Sequence, residues 1–163
     1  MTSGMHGGYG TAHGAHGSAG SAAVESTPLQ RLRWLLSDVL VTTPGMRALA
    51  LVSTDGLPLV AADDESPAEE LATLVAGLAA LSSGLSKLME LGVLRRTVVT
   101  LQEGTLVLMS VDETTCLAAY TSADCDLSLA GYQLARLVER AGHVLTTQLR
   151  RELRARPGQE TNR

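Results

Sequence analysis

The residues whose chemistry could matter are few and scattered. His6, His13 and His16 could ligate a metal, but they sit on a coil of Gly, Ala, Ser and Thr. Ligands without a scaffold hold a metal weakly and without fixed geometry. Asp63, Asp64 and Glu65 could attract a divalent cation; lacking the ligand spacing of a calcium loop, they read as a solvated acidic turn. Cys116 lies in an apolar run, where a thiol packs as a small hydrophobe. Cys125 precedes a helix, where a thiol is reachable and mildly acidified. His143, the remaining histidine, lies mid-helix. No Ser/His/Asp or Cys/His set follows from these positions, and no glycine-rich loop ends in Gly-Lys-Ser or Gly-Lys-Thr. Gly7, Gly8 and Gly10 follow no strand and open no helix, so they form no dinucleotide fingerprint. The expectation is a protein without catalytic residues, metal or cofactor.

Composition narrows the partners. With 163 residues, 45% hydrophobic and 18% charged, the chain can bury one core with little surface charge to spare. There is no Phe and one Trp, so that core is built from Leu, Val and Ala. A net charge of −4 argues against nucleic acid, which selects basic faces and aromatic platforms. The start has neither the basic nor the apolar stretch of a signal peptide, and two cysteines fit a reducing compartment, so a cytoplasmic location is expected. Three segments follow: a Gly/His/Ser/Ala-rich tail over 1–25 that should be disordered, a folded domain over 26–156, and a short disordered tail over 157–163.

Around these residues the elements can be placed from their punctuation. Thr27-Pro28-Leu29-Gln30 is a capping box opening a helix to about Val41, with Leu29, Leu32, Leu36, Val39 and Leu40 inward and Trp34 off the stripe. Ala48-Leu49-Ala50-Leu51-Val52 is an apolar strand, and Thr54-Asp55-Gly56 turns it into a second strand that Pro58 confines to a sheet edge. After Gly92 three strands follow on short turns, the first over 97–102 and the second, 106–111, central. A last helix carries Leu127, Ala130, Leu134, Leu137, Ala141, Leu145 and Leu149 on one stripe, with Asp124 and Asp126 before it and Arg150, Arg151, Arg154 and Arg156 at its far end, where cations suit the dipole.

Between the two groups of strands lies the segment 66–91, opened by the capping box Ser66-Pro67-Ala68-Glu69. Its leucines, Leu71, Leu74, Leu78, Leu81, Leu85 and Leu88, step by three and four and form one stripe. Ala72, Thr73, Ala76, Gly77, Ala79, Ala80, Ser83 and Gly84 occupy the rest. The uncharged run is too short and too rich in Ser, Thr and Gly for a membrane span. Gly77 and Gly84 each cost about 1 kcal/mol in a helix interior, which favours a compensating close approach. The helix is therefore expected to be covered twice, by its own sheet on the leucine side and by another chain on the small-residue side. Hairpin connections and strands apolar on both faces give a three-layer α/β sandwich, the first and last helices on one face of an antiparallel sheet and the central helix on the other.

Asp55-Gly56-Leu57-Pro58-Leu59 after an apolar strand, Leu71-Ala72 and Gly77-Leu78-Ala79 in the central helix, and Asp124-Cys125-Asp126 before Gly131-Tyr132 and Leu137-Val138-Glu139-Arg140 resemble the bacterial Roadblock (dynein light-chain) family. The likeness is to its actinobacterial branch, encoded in conservon operons beside a sensor-kinase-like protein and a small Ras-like GTPase. It covers about 28–153. The resemblance implies a profilin-like, five-stranded antiparallel sheet with one helix on one face and two on the other. It implies a homodimer joined through the central helices and third strands, with Ala72, Thr73, Ala76, Gly77, Ala80, Ser83, Gly84, Thr97 and Val99 at the interface. It also implies a non-catalytic regulator of the GTPase, modulating hydrolysis or docking it, or else a scaffold tethering the kinase-like protein without altering turnover. Arg95 and Arg96 are the candidate GTPase contacts; the family is not known for donating an arginine, and a solvated strand start is the plainer reading of this pair.

Overall fold

The computed structural model describes residues 27–63 and 67–155. The histidine-bearing tail, Asp64, Glu65, Ser66 and the C-terminal tail lie outside them, as does the serine half of the second capping box. Thr27 accepts from the Gln30 amide at 3.2 Å while Gln30 Oε1 accepts from the Thr27 amide at 3.0 Å, closing the first capping box as expected. The helix it opens, α1 (Pro28–Thr42), buries Leu32, Leu35, Leu36 and Val39 and leaves Trp34 outward.

The strands β1 (Met46–Ser53) and β2 (Pro58–Ala61) form a hairpin whose turn holds Gly56 at φ +90°, a conformation natural only to glycine. Then come α2 (Ala68–Leu88), β3 (Arg96–Leu101), β4 (Gly104–Asp112), β5 (Thr115–Ser122), α3 (Leu127–Val144) and α4 (Thr147–Ala155). The sheet runs β2-β1-β5-β4-β3, every pair antiparallel. Pro58 stands on an edge strand, where its missing N–H breaks no ladder. Side-chain alternation sends Leu49, Leu51, Val107, Leu117 and Ala119 to the face covered by α1 and α3. Ala50, Val52, Leu108, Cys116 and Ala118 go to the face covered by α2. The three-layer sandwich is therefore as the sequence implied.

The C-terminal part departs from expectation. A single last helix was the natural reading, because Leu145, Leu149 and Leu153 continue the apolar stripe and all three are buried. Instead the chain turns at Leu145 and restarts as α4, with Thr146 Oγ1 accepting from the Leu149 amide at 3.2 Å as its cap. Arg150 holds the break: its guanidinium donates to the Leu145 carbonyl at 3.0 Å and lies 3.3 Å from Asp112. Leu127, expected inside, is half exposed because Asp126, capping Ser128 and Leu129, starts the helix before the buried stripe begins at Ala130.

Candidate interaction surface

The helix α2 is turned differently from its periodicity. Ala72, Val75 and Ala79 face the sheet, at 0%, 1% and 6% exposure. The leucine stripe sits roughly 120° round the helix from them, at 100° per residue. Leu71 and Leu78 are half-buried at its margin; Leu74, Leu81, Leu85 and Leu88 are 57–78% exposed. The correction has a clear cause. A helix apolar on most of its circumference has a conspicuous stripe but no polar face to orient it, and small side chains let it approach the sheet closely. Ala72, expected at an interface, is instead completely covered by the protein's own sheet.

The other small residues line the flank toward β2. A β-carbon on Gly56 would come within 3.7 Å of the Ala76 β-carbon and 3.8 Å of Thr73 Cα, so the hairpin turn partly covers this side. Thr73, Gly77, Ala80 and Gly84 are exposed; Ala76 and Ser83 are half-buried. Beside Gly77 and Gly84 a β-carbon would meet nothing within 4 Å, so neither glycine serves a close approach within this chain.

The leucine flank looks toward β3. Thr97 Oγ1 donates to Ser82 Oγ at 2.9 Å, tying the edge strand to α2, and Val99 shares that face of the strand. The helix ends at Leu88 and Glu90 just beyond it adopts φ +54°; the apolar surface continues through Met89, Leu91 and Val93, all exposed, to Leu101, which shares the α2 face of β3 with Thr97 and Val99. β3 bonds to a neighbour on one side only, and neither proline nor lysine protects its free backbone edge. Leucine flank and open edge thus form one apolar surface, larger than the scattered residues a monomer ordinarily shows. Arg95 and Arg96 stand exposed where β3 begins; Arg95 O accepts from the Ser110 amide at 3.2 Å.

Residues 32–121 match the Roadblock/LC7 domain, more than half the chain. The chain belongs to the Roadblock/LC7 family. It is 30% identical to a Roadblock/LC7 domain from Streptomyces avermitilis, with a TM-score of 0.62 over 66% of this chain and 92% of that one. The gliding protein MglB from Thermus thermophilus is 25% identical, with a TM-score of 0.65 over 72% and 90% of the two chains. Acanthamoeba castellanii profilin IA, 10% identical with a TM-score of 0.51 over 68% and 96%, shares the fold alone. No functionally curated protein is significantly similar. The Roadblock match stops at Thr121, so α3 and α4 lie beyond it.

In this Roadblock chain the two cysteines are engaged in packing and in a contact to the backbone. Cys116 is buried against the α2 face, and burial pushes its thiol up. Cys125 was expected to be mildly acidic; the reverse holds, since partial desolvation raises its pKa and the neighbouring Asp126 and Asp124 charges add to the shift. Its Sγ donates to the Pro44 carbonyl at 3.3 Å, and it lies so close to Gly45, at φ +83°, that a β-carbon there would sit 2.7 Å from the Cys125 β-carbon. Beside it an open depression of ≈ 490 Å³ is lined by Arg47, Glu103, Tyr120, Ser122 and Asp124. Its groups serve each other: the Ser122 hydroxyl donates to Asp124 at 2.5 Å and holds that carboxyl below its usual range. His143 is exposed on α3. Among the described residues no group of three His, Cys, Asp or Glu could hold a metal ion.

By length and composition α2 could cross a membrane, and it is the one described helix of which that is true. Here Ala72, Val75 and Ala79 seat it on the sheet instead, with Glu69, Glu70 and Lys87 near its ends. What sequence reasoning missed was the outward leucine flank and its continuation. A signal existed: Leu91-Gly92-Val93-Leu94 is apolar yet belongs to no element with a core to enter.

Proposed function

We propose that this Roadblock chain is a non-catalytic, cytoplasmic homodimeric docking module for a small Ras-like GTPase, regulating its GTP hydrolysis or holding it in place. The observation that carries the reading is the continuous apolar surface made by Leu74, Leu81, Leu85 and Leu88 with the open edge of β3. Two copies joined there would extend one sheet across both chains and bury leucines that now face water. Each such leucine contributes about 1.5–3 kcal/mol when fully buried, so a few offset the cost of association. The interface shifts accordingly from the small-residue flank to the leucines, with Gly77, Gly84, Thr97 and Val99 at its margins; Thr73, Ala76, Ala80 and Ser83 become peripheral and Ala72 drops out. The GTPase assignment rests on the resemblance to the conservon branch, and Arg95 and Arg96 lie on the exposed side open to such a partner.

Two measurements test this. Light scattering should give twice the chain mass for the protein and the monomer mass for Leu81→Glu, with the fold retained by circular dichroism; a monomeric parent protein would end the dimer claim. Single-turnover hydrolysis by a small Ras-like GTPase, with and without the protein, reads the regulatory role. A changed rate supports regulation, binding with an unchanged rate supports docking alone, and binding to neither nucleotide state removes the GTPase.

A further inference from the structure

The turn between α2 and β3 holds apolar side chains out of the molecule, and its backbone is fixed in doing so. Leu91 is 71% exposed and Val93 89%, more than any other large apolar residue described. Leu94 is half-buried and anchors the base of the turn. The Leu91 amide donates to the Ser86 carbonyl at 2.9 Å, and the Ser86 hydroxyl donates to the Gly92 carbonyl. Glu90, at φ +54°, is the one described residue other than glycine with a positive φ, and Gly92 follows at φ +86°. Such a conformation is unfavourable away from glycine and persists only where the surroundings hold it. Beside the turn lies an open depression of ≈ 660 Å³, where Leu85, Leu91, Val93 and Met109 share the lining with Arg95 and Arg96. Arg96 leans toward α3, its Nη1 3.8 Å from where a β-carbon on Gly131 would sit, and Arg95 is exposed next to it. Neither arginine forms an ion pair among the described residues, whereas Arg150 and Arg154 are matched by Asp112 and Asp55.

We propose that this turn and the two arginines lining the depression beside it form a peripheral contact for an anionic phospholipid bilayer. Apolar side chains at such a contact sink to the boundary between headgroups and acyl chains, and cations near them are drawn to anionic lipid. Arginine suits the place, because its stem can lie along apolar surface while its guanidinium forks onto a phosphate or carboxylate. The tip carries no aromatic side chain, the kind that dominates binding at protein interfaces and stacks on the bases of nucleic acid. The net charge of −4 on the whole chain opposes any polyanion, so attachment requires the apolar tip as well as the arginines. The helix α2 stays seated on its sheet through Ala72, Val75 and Ala79, and no span is needed. The pairing of two copies proposed above uses the leucines of α2 and the edge of β3; the turn lies outside both elements, between Leu88 and Arg96.

The probe is a vesicle of phosphatidylcholine with or without phosphatidylserine, and the readout is co-sedimentation of the full chain. Arg95 and Arg96 cannot hold a GTPase and a membrane at once, so no GTPase is present. The chain should partition onto vesicles containing phosphatidylserine. Leu91→Ser and Val93→Ser should each weaken partition at least about tenfold, following the apolar area withdrawn from the bilayer. Arg95→Gln together with Arg96→Gln should weaken it roughly thirtyfold, about fivefold for each cation. Val41→Ser, at a residue of α1 that is 83% exposed, and Arg151→Gln, at an exposed arginine of α4, should leave it unchanged. An equal loss in either control would reduce the effect to general stickiness or net charge and overturn the contact. So would equal partition onto vesicles lacking phosphatidylserine, or tighter binding of a single-stranded oligonucleotide than of the vesicles. Melting shows that the variants are folded, and light scattering separates the turn from pairing. If Leu91→Ser dissociated a dimeric parent, the turn would belong between chains and the lipid contact would fall. A monomeric parent that still binds phosphatidylserine vesicles through these residues removes the pairing and keeps the contact.

Discussion

The two long helices that cover the sheet, α2 and α3, solve the same problem in opposite ways. α3 puts Ala130, Leu134, Leu137 and Ala141 against the sheet and sends Arg136, Glu139 and Arg140 to water. It is finished by its own domain. α2 puts Ala72, Val75 and Ala79 against the sheet and sends its large leucines outward. It is not finished. The difference shows that apolar content and burial within one chain are separate properties. The larger side chains of α2 are left outside by its own sheet on the side where β3 is also open, the place that the proposed pairing of two copies would cover.

The largest test of this contrast compares two leucines. Leu134→Ala should cost about 2–5 kcal/mol of monomer stability, because the residue is 1% exposed and its loss leaves a cavity. Leu81→Ala, measured on the same dissociated monomer by urea denaturation, should cost no more than about 0.5 kcal/mol. Similar costs at both positions would mean that the leucine flank is packed within the chain after all. Of intermediate size is Ala79→Leu, which adds bulk where α2 meets the sheet; overpacking there should cost about 1–3 kcal/mol. A neutral result would show α2 able to roll on the sheet. The smallest effect belongs to Gly77→Ala. With nothing within 4 Å of the added β-carbon, the monomer should gain up to about 1 kcal/mol from helix propensity alone. If light scattering showed that this change weakened association, Gly77 would be a site of close contact between chains, as its place in an uncharged helix first implied.

Much of the scaffold was legible because local chemistry decides it. Thr27 and Gln30 can satisfy each other's amides only at a helix start, Pro58 can stand only where no ladder bond is needed, and Gly56 allows the turn between β1 and β2. The interaction surface was half legible. Its helix and its edge strand were identified, but the rotation of α2 was misjudged by about a third of a turn, because leucine spacing marks a stripe and says nothing of which side meets the sheet. The break before α4 was hidden for a related reason: Leu145, Leu149 and Leu153 keep helical spacing across a turn that Arg150 stabilises with the help of Asp112, which lies outside the segment. The nearness of Arg96 to Gly131 had no trace in the chain at all, since it depends on how α3 crosses the β3 side of the sheet.

By itself, then, the sequence determined the number and kind of strands, the caps and turns that bound most elements, and the edge position of Pro58, all of which follow from interactions within a few residues. Only the tertiary structure decided which side of α2 meets the sheet, where the last helix breaks, and which arginines go unpaired. Those outcomes depend on surfaces contributed by distant segments: an apolar helix takes the rotation that packs most closely on the sheet beneath it, and a charge is matched or left open according to what the fold brings beside it.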